Sequence, residues 1–140
     1  MGIRQTLLIV EDSADDEMLS LRAIKDCGIS CEIQVVRHGG DALSLLLAPD
    51  GPTPDLLVLD FHLPGYNGIE ILRELRKIDR LRRVPIVILS SLDSDAHIAR
   101  CLELGARSCV QKATDPKVYS ERVMLIVKYW LTVDKRPSEE

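Results

Sequence analysis

Chemically reactive side chains end several of the apolar runs in this sequence. Glu11 and Asp12 follow the run TLLIV, and Asp60 ends the run DLLVLD. Ser90 ends VPIVILS, and Lys112 ends SCVQK. Asp60 ends an apolar run and is followed by a Pro/Gly-rich loop. A charged residue in that place departs from the local pattern, and such departures often mark functional residues. These five residues are therefore the first candidates for a site.

The three acids suggest a cation, because carboxylates held close together raise each other's pKa values unless a positive charge neutralises them. Mg²⁺ prefers oxygen ligands and takes one or two carboxylates, several waters and a phosphate oxygen. One acid can then attack a phosphoryl group, while an amine and a hydroxyl hold the remaining phosphoryl oxygens. The residue types point to metal-assisted phosphoryl transfer onto a carboxylate.

The apolar runs must lie side by side as strands if these side chains are to meet. Those at 6–10, 55–60 and 84–90 are continuously apolar, which is typical of parallel strands covered on both faces. The run at 31–36 partly alternates and fits a strand nearer an edge, and 108–112 is the fifth run. In open parallel sheets the carboxyl ends of the strands share one edge, where sites form.

Segments with helical periodicity separate the runs. Capping residues, early acids and closing glycines predict helices over 13–28, 39–48, 67–78, 95–105 and 115–131. Strand and helix alternate five times, so the sequence predicts an α/β doubly wound domain. We expect one domain over residues 1–134 and a polar tail over 135–140.

Composition argues against several classes of protein. The net charge of −4 implies no general attraction to nucleic acid, and the basic stretch 75–83 has no interleaved aromatic residues, so it fits a solvated helix end. No apolar run reaches the roughly 18 residues of a membrane span, and no signal peptide is evident. We expect a cytoplasmic protein that binds neither nucleic acid nor membrane.

The cysteines and histidines do not have the spacing of a metal site. The cysteines show no CxxC pairing, so they fit reduced, mostly buried thiols of a cytoplasmic protein. The three histidines lie far apart in sequence, and no histidine-based metal site is expected. The residues concerned are Cys27, Cys31, Cys101, Cys109, His38, His62 and His97.

Four segments together resemble a known family. IVEDS, LLVLDFHLPGYNG, VPIVILSS and SCVQK are similar, in order and spacing, to the signature segments of response-regulator receiver domains, over roughly residues 5–131. The resemblance implies the flavodoxin-like, five-stranded parallel sheet of order 2-1-3-4-5 with five helices. The segments LPGYNG and QKATD, with the final YWL, further resemble stand-alone regulators paired with phytochrome-type sensor kinases.

The resemblance assigns a role to each reactive residue. It implies that Asp60 accepts a phosphoryl group from a histidine kinase, and that Asp12 and Asp60 bind Mg²⁺ directly. Glu11 would hold metal waters, and His62 would offer its backbone carbonyl to the metal.

Two further residues complete the implied set. Ser90 matches the hydroxyl that follows the phosphoryl group on activation, and Lys112 matches the lysine that pairs with it. Such a protein is not a turnover enzyme, because it catalyses only its own phosphorylation and dephosphorylation. No effector domain follows residue 134 in the sequence, so we expect the signal to leave through protein contacts or a phosphorelay.

Some positions depart from the family pattern. Ala113 stands where a proline, often on a cis bond, usually follows the lysine. A cis bond there would cost about 2.5–4 kcal/mol, so the bond is either trans or strained. Cys109 occupies the position of the switch aromatic, so a Tyr/Phe rotamer switch cannot operate. His62 and Leu92 occupy positions that tune phosphoryl lifetime in the family, although both also fit plain surface loops.

Three other interpretations were weighed. A flavodoxin-type FMN binder would need hydroxyl and glycine donors at a helix N-terminus, where this chain has EDSADDE. A haloacid-dehalogenase-like phosphatase would need a second acid two residues after Asp60, where His62 stands, together with a cap insertion. A receiver that has lost its chemistry is opposed by the complete set of reactive residues.

The last predicted helix has more apolar surface than one face needs. Its core-facing stripe is centred on Tyr119, Val123, Ile126 and Trp130, with further apolar residues on both flanks. The apolar arc of roughly 260° far exceeds the 100° or so that packing one face requires. Flanking helices could cover the excess; otherwise it marks a partner surface. We expect a two-fold homodimer in which Leu125 or Tyr129 is central.

Overall fold

A parallel five-stranded sheet forms the centre of the protein. The computed structural model describes residues 4–134, so the predicted tail at 135–140 lies outside the described residues. The strands are Gln5–Val10 (β1), Cys31–Val36 (β2), Leu56–Asp60 (β3), Ile86–Ser90 (β4) and Ser108–Gln111 (β5). Their order is β2-β1-β3-β4-β5 and every neighbouring pair is parallel. The predicted fold class and strand order are confirmed.

Five α-helices connect and cover the strands. They are Ala14–Asp26 (α1), Gly39–Leu47 (α2), Gly68–Leu75 (α3), Asp95–Glu103 (α4) and Pro116–Lys128 (α5). Helix α3 ends three residues before the predicted boundary, and a 3-10 turn follows at Asp79–Leu81. The Arg76 guanidinium donates to the carbonyl of Leu81 at 2.8 Å and to that of Gly105, which fastens this turn to the body of the protein.

Two apolar layers sandwich the sheet. One layer packs α2, α3 and α4 against one face, and the other packs α1 and α5 against the opposite face. Strands β3 and β4 are buried along their whole length, which confirms the interpretation of the continuously apolar runs. Strand β2 lies at an edge, as its partial alternation predicted, and β5 forms the other edge.

The loop after β3 is held by local interactions. Asn67 caps α3: its side chain accepts from the Glu70 N–H at 2.9 Å, and the Glu70 carboxylate accepts from the Asn67 N–H at 2.9 Å. Gly65 has a φ of 83°, a conformation that side-chain-bearing residues rarely adopt. A Cβ on Gly68 would stand 3.2 Å from the Cα of Phe61. The loop therefore closes tightly beside the end of β3.

The end of the chain differs from one regular helix. Helix α5 stops at Lys128, and a wider π-helical turn runs over Tyr129–Val133. The predicted core residues Tyr119, Val123 and Ile126 are buried, and Trp130 is half-buried and packs against the same layer. Val127 and Leu131 are also buried in this layer.

Candidate functional site

The strand register brings the predicted residues to one edge of the sheet. Val10 of β1 lies beside Leu59, and Asp60 lies beside Leu89. The Lys112 N–H, just past β5, donates to the Ser90 carbonyl at 2.7 Å. The strand ends therefore meet where parallel α/β sheets form their sites.

Lys112 is at the centre of this edge. Its ammonium contacts three carboxylates, with distances from Nζ of 2.8 Å to Asp60 Oδ2, 2.9 Å to Asp16 Oδ2 and 3.1 Å to Glu11 Oε1. Burial alone would lower the pKa of Lys112, but the hydrogen bonds with Asp60 and Asp16 raise it above its ordinary value. The amine therefore stays protonated and is poised to contact any anion placed beside Asp60.

The acids are only partly compensated by this one amine. Glu11 is 2% exposed and Asp60 is 4% exposed, while Asp12 faces solvent. Burial, followed by repulsion from Asp60, raises the pKa of Glu11 to about 7. Oxygen atoms of Glu11, Asp12 and Asp60 all lie within 4.8 Å of one another. This all-oxygen cluster, open at Asp12, has the composition of a site for a hard divalent cation.

Two contacts of this site were missed from the sequence. Asp16, in the first turn of α1, pairs with Lys112. The Tyr119 hydroxyl donates to Glu11 Oε1 at 3.4 Å and lies 3.4 Å from Ser20 Oγ. The signal was present, because Tyr119 is polar at the centre of a core stripe and a buried phenol usually needs a partner.

The remaining predicted residues surround Asp60. The His62 N–H donates to Asp60 Oδ1 at 3.2 Å, and the His62 side chain is exposed. Ser90 is completely buried, and its Oγ accepts from the Leu92 N–H at 3.1 Å. The bond between Lys112 and Ala113 is trans, which decides between the two alternatives that the missing proline left open.

The fold and this edge define a receiver domain, and a family comparison gives the same assignment. The family model described as "Response regulator receiver domain" matches residues 7–124. The chain belongs to this family. That membership decides against both the flavodoxin-type and the dehalogenase-like alternatives.

The chain is similar over nearly its whole length to individual response regulators. Response regulator Rcp1 of Synechocystis sp. is 28% identical over 138 residues, covering 96% of this chain and 94% of the relative. A solved Mn²⁺-bound form of Rcp1 superposes with a TM-score of 0.87 at 28% identity, covering 96% and 99%. The phosphorylated cyanobacterial phytochrome response regulator RcpA gives 0.89 at 27% identity, covering 97% and 100%.

A third similar protein is named for methanogenesis. The probable methanogenesis regulatory protein FilR2 of Methanothrix harundinacea is 31% identical over 134 residues, covering 94% of this chain and 86% of that protein. The chain is thus similar over nearly its whole length to regulators with different names, and its fold is similar to that of a phytochrome response regulator. Among residues 4–134, no helix is long and apolar enough to cross a membrane.

Proposed function

We propose that the protein is a two-component response regulator in which Asp60 accepts a phosphoryl group from a sensor histidine kinase. The observation that carries the proposal is the buried Asp60 carboxylate, 2.8 Å from the Lys112 ammonium and within 4.8 Å of Glu11 and Asp12 oxygens. An isolated carboxylate is a weak nucleophile at a phosphorus already surrounded by negative oxygens. The Lys112 ammonium and a cation bound by the neighbouring carboxylates would reduce that repulsion.

In the proposed reaction an Asp60 oxygen attacks the phosphorus of a phosphohistidine. The new P–O bond forms as the P–N bond breaks, and the imidazole leaves with the electron pair and takes up a proton. Lys112 already lies beside Asp60 Oδ2 and would then contact a phosphoryl oxygen, as cationic groups do in phosphoryl transfer. Hydrolysis of the acyl phosphate by water returns Asp60, so the protein catalyses only its own phosphorylation and dephosphorylation.

The donor set fits Mg²⁺. Asp12 and Asp60 would bind the ion directly, Glu11 would hold its waters, and His62 would offer its carbonyl oxygen. Bound there, Mg²⁺ would supply positive charge against the incoming phosphoryl oxygens. It would also relieve the repulsion that raises the Glu11 pKa.

Ser90 is the proposed reporter of phosphorylation. Its oxygen accepts from the Leu92 N–H, and a hydroxyl can accept and donate at the same time. The Ser90 proton therefore remains available for a phosphoryl oxygen. Movement of Ser90 towards that oxygen would shift the loop that leads to α4, which is how we propose the state of Asp60 reaches the surface.

We also propose a kinase partner, a cellular location, domain bounds and a route of output for this protein. Similarity to a regulator named for a cyanobacterial phytochrome supports a phytochrome-type kinase as the donor. The four free thiols support a cytoplasmic location, and the buried Leu131 supports a receiver unit that extends to about residue 134. We propose output through protein contacts or a phosphorelay, without binding to nucleic acid or membrane.

Phosphorylation with acetyl phosphate and Mg²⁺ tests the function. Intact-mass measurement should show one added phosphoryl group that hydroxylamine removes, because acyl phosphates are labile to nucleophiles. Asp60→Asn should remove the label, and a chelator should slow its uptake strongly. Ser90→Ala should still take the label, since its hydroxyl is not the nucleophile. Undiminished labelling of Asp60→Asn would refute the assignment.

We also propose that the protein forms a homodimer through its last helix. Leu125, Tyr129 and Val133 stand four residues apart on one side of this helix and are 67%, 48% and 56% exposed. They form a continuous apolar strip that neighbouring helices do not cover. An isologous pairing would bury both copies of the strip at once.

Light scattering on two variants decides the dimer. Wild-type protein should exceed its 15.7 kDa monomer mass, and Leu125→Glu and Tyr129→Glu should dissociate it by burying a charge at the interface. Met18→Glu is the matched control, because Met18 is also a large apolar residue, 54% exposed, on α1. A wild type that remains monomeric with and without phosphorylation would rule out the dimer.

A further inference from the structure

A second cluster of metal-ligand side chains lies between α4 and β5, away from the acidic edge. A nitrogen of His97 and the thiols of Cys101 and Cys109 all lie within 4.8 Å of one another. His97 and Cys101 are one helical turn apart on α4, with Nε2 and Sγ separated by 3.8 Å. Cys109 reaches the same point from β5, where it is paired with Ile88 of β4.

The spacing of these atoms suits a tetrahedral soft cation. Sulfur and nitrogen ligands at about 2.0–2.3 Å from zinc stand about 3.5–3.8 Å apart from each other. The His97–Cys101 pair is already at such a separation. Small rotations would bring Cys109 into the same range, because its atom is within 4.8 Å of both.

The surroundings favour a site without net charge. Cys101 is fully buried in the apolar layer that includes Phe61 and Ile88, and Cys109 packs against that layer. The Phe61 ring meets the His97 ring edge to face, with centroids 4.6 Å apart, which fixes the imidazole. Two thiolates, a neutral imidazole and one divalent cation sum to zero charge, so their burial avoids the large cost of an isolated ion.

The thiols are protonated while no cation is bound. Burial, followed by repulsion from Cys101, raises the pKa of Cys109 to about 11, and burial raises that of Cys101. A bound divalent cation reverses this balance, because coordination stabilises the thiolate and releases its proton. His97 and Cys109 are half-buried, so an ion has a path to the ligands.

We propose that His97, Cys101 and Cys109 bind one Zn²⁺ ion, with water in the fourth position. Binding replaces two thiol protons with two Zn–S bonds and releases those protons. The ion joins α4 to β5 directly, so it fastens the helix that follows the Ser90 loop. Because this site shares no ligand with the acidic cluster, an ion can bind it whether or not Asp60 is phosphorylated.

Co²⁺ titration of the reduced, chelator-treated protein tests the site. Excess Mg²⁺ is present to fill the acidic cluster, so that only a sulfur-containing site takes up Co²⁺. Wild-type protein should bind one equivalent with thiolate-to-cobalt charge-transfer and tetrahedral bands, and Zn²⁺ should displace it. Zn²⁺ should also raise the unfolding temperature, because it binds only the folded protein.

Matched variants identify the ligands. His97→Ala and Cys109→Ser should each weaken Zn²⁺ binding by more than about 100-fold, since even partners outside the ligand shell are worth about 10–100-fold. Cys27→Ser is the control, because Cys27 is a half-buried thiol that bonds the Ile24 carbonyl instead. Unfolding in chelator checks that each variant folds. A wild type without sulfur charge transfer, or variants with unchanged affinity, would overturn the site.

Discussion

Residues 4–134 contain two compact clusters of metal-ligand side chains that differ in composition and charge. Glu11, Asp12 and Asp60 at the strand ends, and His97, Cys101 and Cys109 between α4 and β5, each converge within 4.8 Å. The first is charged in the resting protein and depends on Lys112 for partial compensation. In the second, the thiols of Cys101 and Cys109 are packed against apolar side chains.

The acidic cluster holds like charges close together, whereas the thiol cluster does not. Burial, followed by repulsion from Asp60, disfavours the charged form of Glu11 and raises its pKa, so the folded protein is less stable until a cation or proton arrives. At the thiol cluster, burial raises the pKa values of Cys101 and Cys109, so both thiols are uncharged at neutral pH. Loss of a compensating partner should therefore matter greatly at the first cluster and little at the second.

The largest effect is expected for Lys112→Met. Without magnesium, this change leaves buried carboxylates without their cation and should reduce the free energy of unfolding by about 3 kcal/mol or more. Millimolar Mg²⁺ should restore much of that loss. Lys77→Met is the control: Lys77 also makes a 2.9 Å ion pair, with Glu74, but both partners are exposed, so about 1 kcal/mol or less is expected. Equal losses in urea unfolding would remove the contrast between the two pairs.

An intermediate effect on stability is expected from the titration of Glu11. Because the folded pKa is raised from 4.5 to about 7, the native state binds more protons than the unfolded state between these pH values. Stability in chelator should therefore fall as pH rises through this window, by about 3 kcal/mol at most. Glu11→Gln should flatten the profile, whereas the exposed Glu74→Gln should not. A profile that stays steep in Glu11→Gln would assign the titration to another group.

The smallest effect is expected for Cys109→Ala. In chelator, the change removes one half-buried sulfur and should cost about 1 kcal/mol. Phosphorylation of Asp60 should continue at the wild-type rate, because Cys109 lacks the ring of a rotamer switch. A loss of several kcal/mol or of phosphorylation would show that the thiol cluster is as strongly coupled to folding or function as the acidic edge.

The acidic cluster could be predicted from the sequence, because each residue marks the end of an apolar run and a parallel sheet aligns those ends. Fold class and strand order followed from the same runs. The strand bounds were also close, since β3 and β4 are buried throughout and their apolar residues are continuous. The apolar runs and the residues that end them are therefore sufficient to predict the sheet and the acidic cluster.

The thiol cluster could not be predicted in that way. The sequence predicts no histidine-based metal site, because the cysteines show no CxxC pairing and the histidines lie far apart. The available signal was the four-residue spacing of His97 and Cys101 on one helix face, but Cys109 joins them only through the packing of α4 on β5. Tertiary contacts also placed Asp16 and Tyr119 at the acidic edge, where periodicity alone gave no partner.

The ion pair between Glu11 and Lys112 spans 101 positions of the chain, and this separation has a kinetic consequence. The lysine emerges long after the acids during synthesis, and it reaches them only when the last strand has docked. Because closing so long a loop costs entropy, we expect this contact to form late, so its loss should change the unfolding rate more than the folding rate. A cation from solution can occupy the acidic edge earlier, and magnesium would then act during folding as a temporary substitute for the chain's own lysine.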